Sequence, residues 1–339
     1  MKFDYYVLNT YVPAVDGAAP DLYAKWFEQV ALAEELGLEC AWFTEHHFRA
    51  FGGMLPSPSM LIAALAQRTD RIRLGTAVVI LPLHHPLQVA EELAMLDVLS
   101  GGRLDVGVGR GMGSQYYDVF GSDPETAQEK IEEQVAMLQG AWTDPEFSWN
   151  GKFYQCAQPI TVLPRPLQQP HPPLWIPAGT NPEHSRWIGR TGANLMTLPW
   201  RLPDMRLNLE IIGAYQEGLV QAGLAIEARE VMSYFPVYVA ESMAQARKDA
   251  EPCWHTWQAI TDQQRTAPGP PPFTYDVMVD TGRALFGDPE HCRQHLKHTL
   301  EETGLDRVAL LFHFGGLAQE RVLASMRLFA QEVAPSFRD

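Results

Sequence analysis

Residues 71–113 read RIRLGTAVVILPLHHPLQVAEELAMLDVLSGGRLDVGVGRGMG, and this stretch decides the fold. It opens with Ile72, Leu74, Thr76 and the run from Val78 to Leu81, too apolar and β-branched for a strand with one wet face. That composition predicts a strand buried on both faces, ended by Pro82 and Pro86. From Pro86 to Leu99, the residues Val89, Leu93, Leu96 and Leu99 recur three or four apart, the period of an amphipathic helix. Ser100-Gly101-Gly102 stops this helix. Residues 103–108 then begin a second apolar strand, which ends in the glycine-rich turn at 107–113. A strand, a helix and a strand in that order imply a parallel sheet.

The alternation continues on both sides. Residues 2–8 (KFDYYVL) and 40–43 (CAWF) predict strands, with a helix over 22–36 between them and an alanine-rich helix over 58–68 after the second. Further strands are expected at 173–178, 193–197, 231–239 and 308–314, and a last helix at 317–333 buries Val322, Met326, Phe329 and Val333. Asp123-Pro124-Glu125, Asn181-Pro182-Glu183 and Asp288-Pro289-Glu290 each supply a capping side chain, a proline at the first helical position and a carboxylate near the positive helix end. Three helix starts are expected there. Eight strands alternating with helices predict an α/β fold, a (β/α)8 TIM barrel, which typically takes ~250 residues and leaves about 90 for insertions. Residues 142–172, after strand 4, and 258–283, after strand 7, supply that excess, and the second is the lid candidate. No internal repeat or second domain is visible, so 1–339 read as one domain. An open doubly wound sheet is the competitor. It would carry G-x-G-x-x-G, and no register of the 107–113 turn supplies it, since the last position falls on Met112 or Ser114.

With 339 residues, 46% hydrophobic and 20% charged, the chain has ample material for a core. A formal charge of −15 argues against nucleic acid or an anionic membrane as the main partner. Residues 1–8 lack a signal-peptide pattern and no apolar run approaches the ~20 residues of a membrane span, so a cytoplasmic protein is expected. Cys40, Cys156, Cys253 and Cys292 are widely spaced, which fits reduced thiols better than disulfides or a metal site.

In a barrel the chemistry sits after the C-terminal ends of the strands. Glu45, His46 and His47 follow strand 2, His84 and His85 follow strand 3, Arg110 lies among glycines after strand 4, and Gly179, Thr180 and Asn181 open a helix after strand 5. Glycines let a backbone approach a ligand, an arginine offers paired hydrogen bonds to phosphate, and a helix start offers N–H groups. These pieces describe an anion cradle and a histidine cluster. Each also has a plainer reading: satisfied structural histidines, an Arg110 paired with a surface carboxylate, and Asn181 or His85 serving only as helix caps. A metal site on Glu45-His46-His47 lacks helical spacing and a further ligand, and none is expected.

The residues AEELG (33–37), WFTEHHF (42–48), RIRLGTA (71–77), LPLHHP (81–86), LSGGR (99–103), GVGRG (107–111) and ALLFHFGGL (309–317) closely resemble the bacterial luciferase-like flavin-dependent monooxygenases. The resemblance implies a barrel that takes reduced FMN (FMNH2) from a separate NAD(P)H:flavin reductase. It reacts the flavin with O2 to form a flavin C4a-hydroperoxide and oxygenates a small organic substrate. On this reading His46 is the active-site base, with Glu45 and His47 supporting it. Ala77 and Val78 match a strand bulge, a non-proline cis peptide in relatives, on which the flavin ring rests. Arg110 matches the FMN-phosphate arginine, with Gly179, Thr180 and Asn181 completing that pocket. Gly109 stands where the light-emitting catalytic chain has a cysteine, which implies a more open ring face and no light emission. A lid over 258–283 would keep the site dry. The family often forms homodimers through the helices after strands 2 and 3, where Ala63, Ala64, Ala66, Ala90 and Ala94 would allow close approach, although packing within one chain explains these alanines equally well. An F420-dependent oxidoreductase on the same barrel and a non-catalytic flavin-binding protein are the alternatives.

Overall fold

The computed structural model describes residues 1–8, 10–111, 114–202, 205–263 and 273–338. Eight strands form the barrel: β1 (Lys2–Val7), β2 (Cys40–Phe43), β3 (Arg73–Thr76), β4 (Leu104–Gly109), β5 (Leu174–Pro177), β6 (Asn194–Thr197), β7 (Val231–Val239) and β8 (Arg307–Leu311). They hydrogen-bond in chain order, and β8 returns to β1, so the parallel sheet closes on itself. Short additions extend the rim: Val79–Ile80 pairs with the end of β4, and Leu285–Gly287 pairs with the end of β7.

Alternation along β1 shows how the sequence sorts its two faces. Phe3 and Tyr5 point outward, the Phe3 ring meeting Phe329 at 5.2 Å and the Tyr5 hydroxyl donating to Gln29. Asp4 and Tyr6 point inward. The Asp4 carboxylate accepts from Arg307 Nη1 at 3.0 and 3.1 Å and from Trp42 Nε1 at 2.8 Å. Arg307 Nε also donates to Glu230 at 3.0 Å. A buried ion pair thus closes the end of the barrel where the strands begin.

Contacts divide the chain into two compact units, Met1–Trp42 with His46–Pro56 and Ala178–Asp339, and Phe43–Glu45 with Ser57–Pro177. In the second unit the helix Pro86–Leu99 has the bounds its periodicity predicts, and His85 caps it by accepting from Leu87 N–H at 3.3 Å. Asn181 and Asp288 likewise cap the helices Pro182–Thr191 and Pro289–Thr303 of the first unit. The expected start at Asp123 is displaced. Asp123 Oδ1 accepts from Glu125 N–H in a turn, and the helix begins only at Ala127. The insertion after β4 is also more ordered than its composition suggests. It contains the antiparallel hairpin Phe147–Asn150 with Gln155–Ile160. Glu133 holds the hairpin tip by accepting four hydrogen bonds, from Trp149 Nε1 and the N–H groups of Lys152, Phe153 and Tyr154. Of the expected lid, residues 264–272 lie outside those described. Its two described flanks are joined, because Trp254 Nε1 and Gln258 Nε2, on the helix Met243–Asp262, both donate to Phe273 O.

Candidate functional site

In the second unit, β3 ends at Thr76, whose hydroxyl donates to Gly107 O at 2.7 Å and accepts from Gly107 N–H at 2.9 Å, fixing it to β4. Ala77 N–H donates to Phe43 O at 2.7 Å, and the Ala77–Val78 peptide bond is cis. The chain then resumes as Val79–Ile80 beside Val108 and Gly109. A Cβ on Gly109 would lie 2.6 Å from Val78 Cγ2 and 3.2 Å from Pro177 Cγ. The structure therefore corrects the expectation of a more open face at Gly109: the branched side chain of Val78 fills the space that the missing Cβ vacates. The two residues are sterically one feature.

Glu45, two residues beyond β2, is buried in the same unit. Its Oε2 accepts from Ile80 N–H at 2.7 Å and its Oε1 lies 2.8 Å from His84 Nε2. Burial works against protonation of His84, but the hydrogen bond and charge of Glu45, with the charge of Glu92, outweigh it and hold the imidazole above its usual value. The pair His84-His85 thus splits into one ion-pair partner and one helix cap. Arg110 is exposed between Gly109 and Gly111, and its carbonyl accepts from Tyr117 Oη. Among the described residues its guanidinium makes no ion pair.

The first unit holds the remaining candidates. The His46 ring is buried edge-on to Phe51 at 5.2 Å. His46 N–H donates to Leu55 O at 3.2 Å, and a Cβ on Gly52 would come within 2.6 Å of the imidazole. The loop after β2 is therefore wrapped on this ring, with glycine required at 52. His47 is buried too, with Phe48 at 5.4 Å. Phe48 has a φ of +63°, uncommon for a side chain of that size. Sequence reading missed the aromatic chain that continues from His46: Phe51 meets Trp257 at 5.6 Å, Trp257 meets Trp200 at 5.0 Å, and Trp200 meets Tyr234 at 5.8 Å. Tyr234 in turn stacks on Tyr6 at 4.3 Å. The Trp257 indole N–H is buried with no partner among the described residues. The available signal was Trp254 and Trp257, one helical turn apart on Met243–Asp262.

Gly179, Thr180 and Asn181 precede Pro182–Thr191. Asn181 Oδ1 accepts from Glu183 N–H at 3.0 Å and its carbonyl from His184 N–H at 3.1 Å, while Pro182 has no N–H. The first donors of the helix are thus consumed internally. A Cβ on Gly179 would meet nothing within 4 Å, so this approach is open. An anion here would be met by the N–H groups of residues 179–181, which engage no acceptor among the described residues.

The comparisons agree with the barrel. The profile of the family described as Luciferase-like monooxygenase matches residues 1–307. The oxygenase component of a flavin-dependent trigonelline monooxygenase from Acinetobacter baylyi is 30% identical over 336 residues, covering 94% of this chain and 91% of that protein. Limonene 1,2-monooxygenase from Rhodococcus erythropolis is 28% identical over 321 residues, covering 91% and 80%. The crystal structure of the monooxygenase RslO1 from Streptomyces bottropensis superposes with a TM-score of 0.93 at 28% identity, covering 100% of both chains. A closed parallel barrel, a cis peptide at the end of its third strand and a sequence match over most of its length lead to one assignment: this chain belongs to the luciferase-like monooxygenase family.

Proposed function

We propose that this enzyme is the oxygenase of a two-component system. It would take reduced FMN from a separate NAD(P)H:flavin reductase in the cytoplasm and use O2 to oxygenate a small organic substrate. The observation that carries this reading is the pairing, in one unit, of a shelf at Ala77–Val78 with an arginine, Arg110, that makes no ion pair among the described residues, on the turn that follows the neighbouring strand. A flavin mononucleotide has a planar ring and a phosphate, and these are the two features such a cradle suits. Bound reduced FMN supplies the electrons that activate O2. Ala77 and Val78 support the ring, with Val78 filling the hollow at Gly109. Arg110 holds the phosphate. His46 takes or returns a proton at the substrate, while Glu45 and His47 order its surroundings. The aromatic chain running from Phe51 to Tyr6 excludes water around His46.

Anaerobic titration with reduced FMN tests this directly. Tight binding is expected. Failure to bind, or preferential binding of reduced F420, would overturn the reading in favour of another cofactor. Arg110→Ala should weaken reduced FMN by about 10- to 100-fold, the worth of a charge-assisted phosphate contact, and leave riboflavin nearly unaffected. Equal losses for both flavins would make Arg110 structural.

A homodimer belongs to the same proposal. Met60 (75% exposed) on the helix Pro58–Ala66, Met95 and Leu99 on Pro86–Leu99, and Leu163 and Leu167 beyond the hairpin expose apolar side chains on one unit. A second copy of the chain would cover such a surface. Light scattering should give twice the chain mass, and Met60→Asp with Met95→Asp should give monomer. A monomeric wild-type protein at micromolar concentration would exclude it.

A further inference from the structure

We propose that Glu45 is a positioning residue whose buried carboxylate locks the Ala77–Val78 shelf to the glycine turn bearing Arg110, so that ring support and phosphate contact form one rigid body. The inference rests on the FMN reading above and goes beyond it, because it assigns to Glu45 a task distinct from assisting His46.

The argument starts from the polar groups of residues 80–84. This segment belongs to no regular ladder beyond Ile80, so its backbone needs partners from elsewhere. Ile80 N–H donates to Glu45 Oε2 at 2.7 Å. Leu81 O and His84 O accept from Gln134 Nε2 at 2.8 and 3.1 Å, and Pro82 O accepts from Ser122 Oγ at 2.8 Å. Glu45 is the sole carboxylate in this set, and it also grips the far end of the segment through His84 Nε2 at 2.8 Å. One side chain thus holds both ends of the chain that leaves the shelf.

The link to the phosphate turn is steric. Ile80 lies beside Gly109 in the parallel register. Gly111 has a φ of +75°, and a Cβ built on it would lie 2.9–3.2 Å from three carbons of the Ile80 side chain. The backbone on either side of Arg110 therefore rests on residues that Glu45 fixes: Gly111 on Ile80, and Gly109 on Val78, two residues before it. Releasing Ile80 N–H would loosen both. Fixed first contacts held by a buried hydrogen-bonded partner are what a preorganised cofactor site requires.

The test compares Glu45→Ala, Glu45→Gln, His84→Ala and Asp97→Asn in anaerobic titrations with reduced FMN and with reduced riboflavin, alongside thermal melts. Asp97 is a buried carboxylate of the same unit that accepts from Gln168 N–H and Nε2 at 3.0 and 2.7 Å, on the helix Pro86–Leu99. Glu45→Ala should weaken both flavins by about 10- to 100-fold, since ring and phosphate walls move together. Glu45→Gln should recover most of this, because an amide oxygen still accepts from Ile80 N–H. Its recovery keeps the test open should the alanine variant fold poorly. Asp97→Asn should lower the melting temperature and leave both affinities unchanged. His84→Ala, which removes one arm only, should fall between wild type and Glu45→Ala. Wild-type flavin affinities in Glu45→Ala, or a loss confined to FMN, would overturn the inference while leaving the FMN reading standing. A wild-type protein that binds neither flavin would overturn the FMN reading itself.

Discussion

Alanine at His46 is expected to cut turnover by about 10²- to 10⁴-fold, the usual contribution of a placed acid–base group, with reduced-FMN affinity unchanged. The imidazole is buried, set edge-on to Phe51 and closed over by Gly52, and its backbone is tied to Leu55. Its orientation is therefore fixed before any ligand arrives, and a fixed orientation is what makes proton transfer efficient. Phe51, Gly52 and Leu55 lie in its own loop, and removing the ring should leave the Ala77–Val78 shelf and Arg110 in place. Product formation at saturating flavin, with flavin affinity measured in parallel, separates the two effects. Partial recovery by imidazole in solution would assign the lost step to proton transfer, since the variant leaves a ring-sized hollow beside Gly52. Unchanged turnover would remove His46 from the mechanism.

The parts of this site that were legible in the sequence are those set by local rules. The helix Pro86–Leu99 follows from its apolar period and its proline start, and Asn181 and Asp288 cap helices because a side-chain oxygen two or three residues ahead of a free N–H has few other options. The same signal misled at Asp123, where the carboxylate closes a turn on Glu125 and the helix waits until Ala127. Capping chemistry shows that backbone N–H groups need an acceptor and leaves open whether a helix or a turn supplies them. The hairpin at 147–160 escaped because its first strand, FSWN, alternates over only four residues and its second, QCAQPI, is mostly exposed without alternation. It depends on a carboxylate that precedes it by about three turns of helix and a loop, Glu133. Val78 filling the place beside Gly109 joins residues 31 apart, and the aromatic chain joins Tyr6, Phe51, Trp200, Tyr234 and Trp257 from five separate segments. No window of sequence contains such a contact. The resemblance placed the candidate positions, but only in the folded chain does Val78 close the face at Gly109 and Glu45 reach past its own strand to Ile80.

Arg307→Ala should destabilise the fold by about 3–5 kcal/mol, the cost of stranding one member of a buried ion pair. The Asp4 carboxylate is fully buried and would lose both contacts from Nη1, while Glu230 would lose the guanidinium at 3.0 Å. Lysine is not an adequate substitute, since one ammonium cannot reproduce the forked contacts of Nη1 to both Asp4 oxygens and of Nε to Glu230. Urea unfolding should show a lower midpoint with an unchanged slope. Replacing the pair together, Asp4→Leu with Arg307→Met, should regain most of the loss, because the penalty lies in the uncompensated charge and not in the absence of the bridge. A double variant as unstable as the single one would mean that the pair specifies the packing between β1 and β8 and does more than balance charge. The pair sits at the first residues of these strands, whereas Glu45, His46 and Arg110 follow the last residues of theirs. Flavin affinity of the folded Arg307→Ala protein should therefore match wild type. His46→Ala should lose turnover while the hollow left by its buried ring lowers stability only modestly, and this contrast would separate what closes the barrel from what makes it an enzyme.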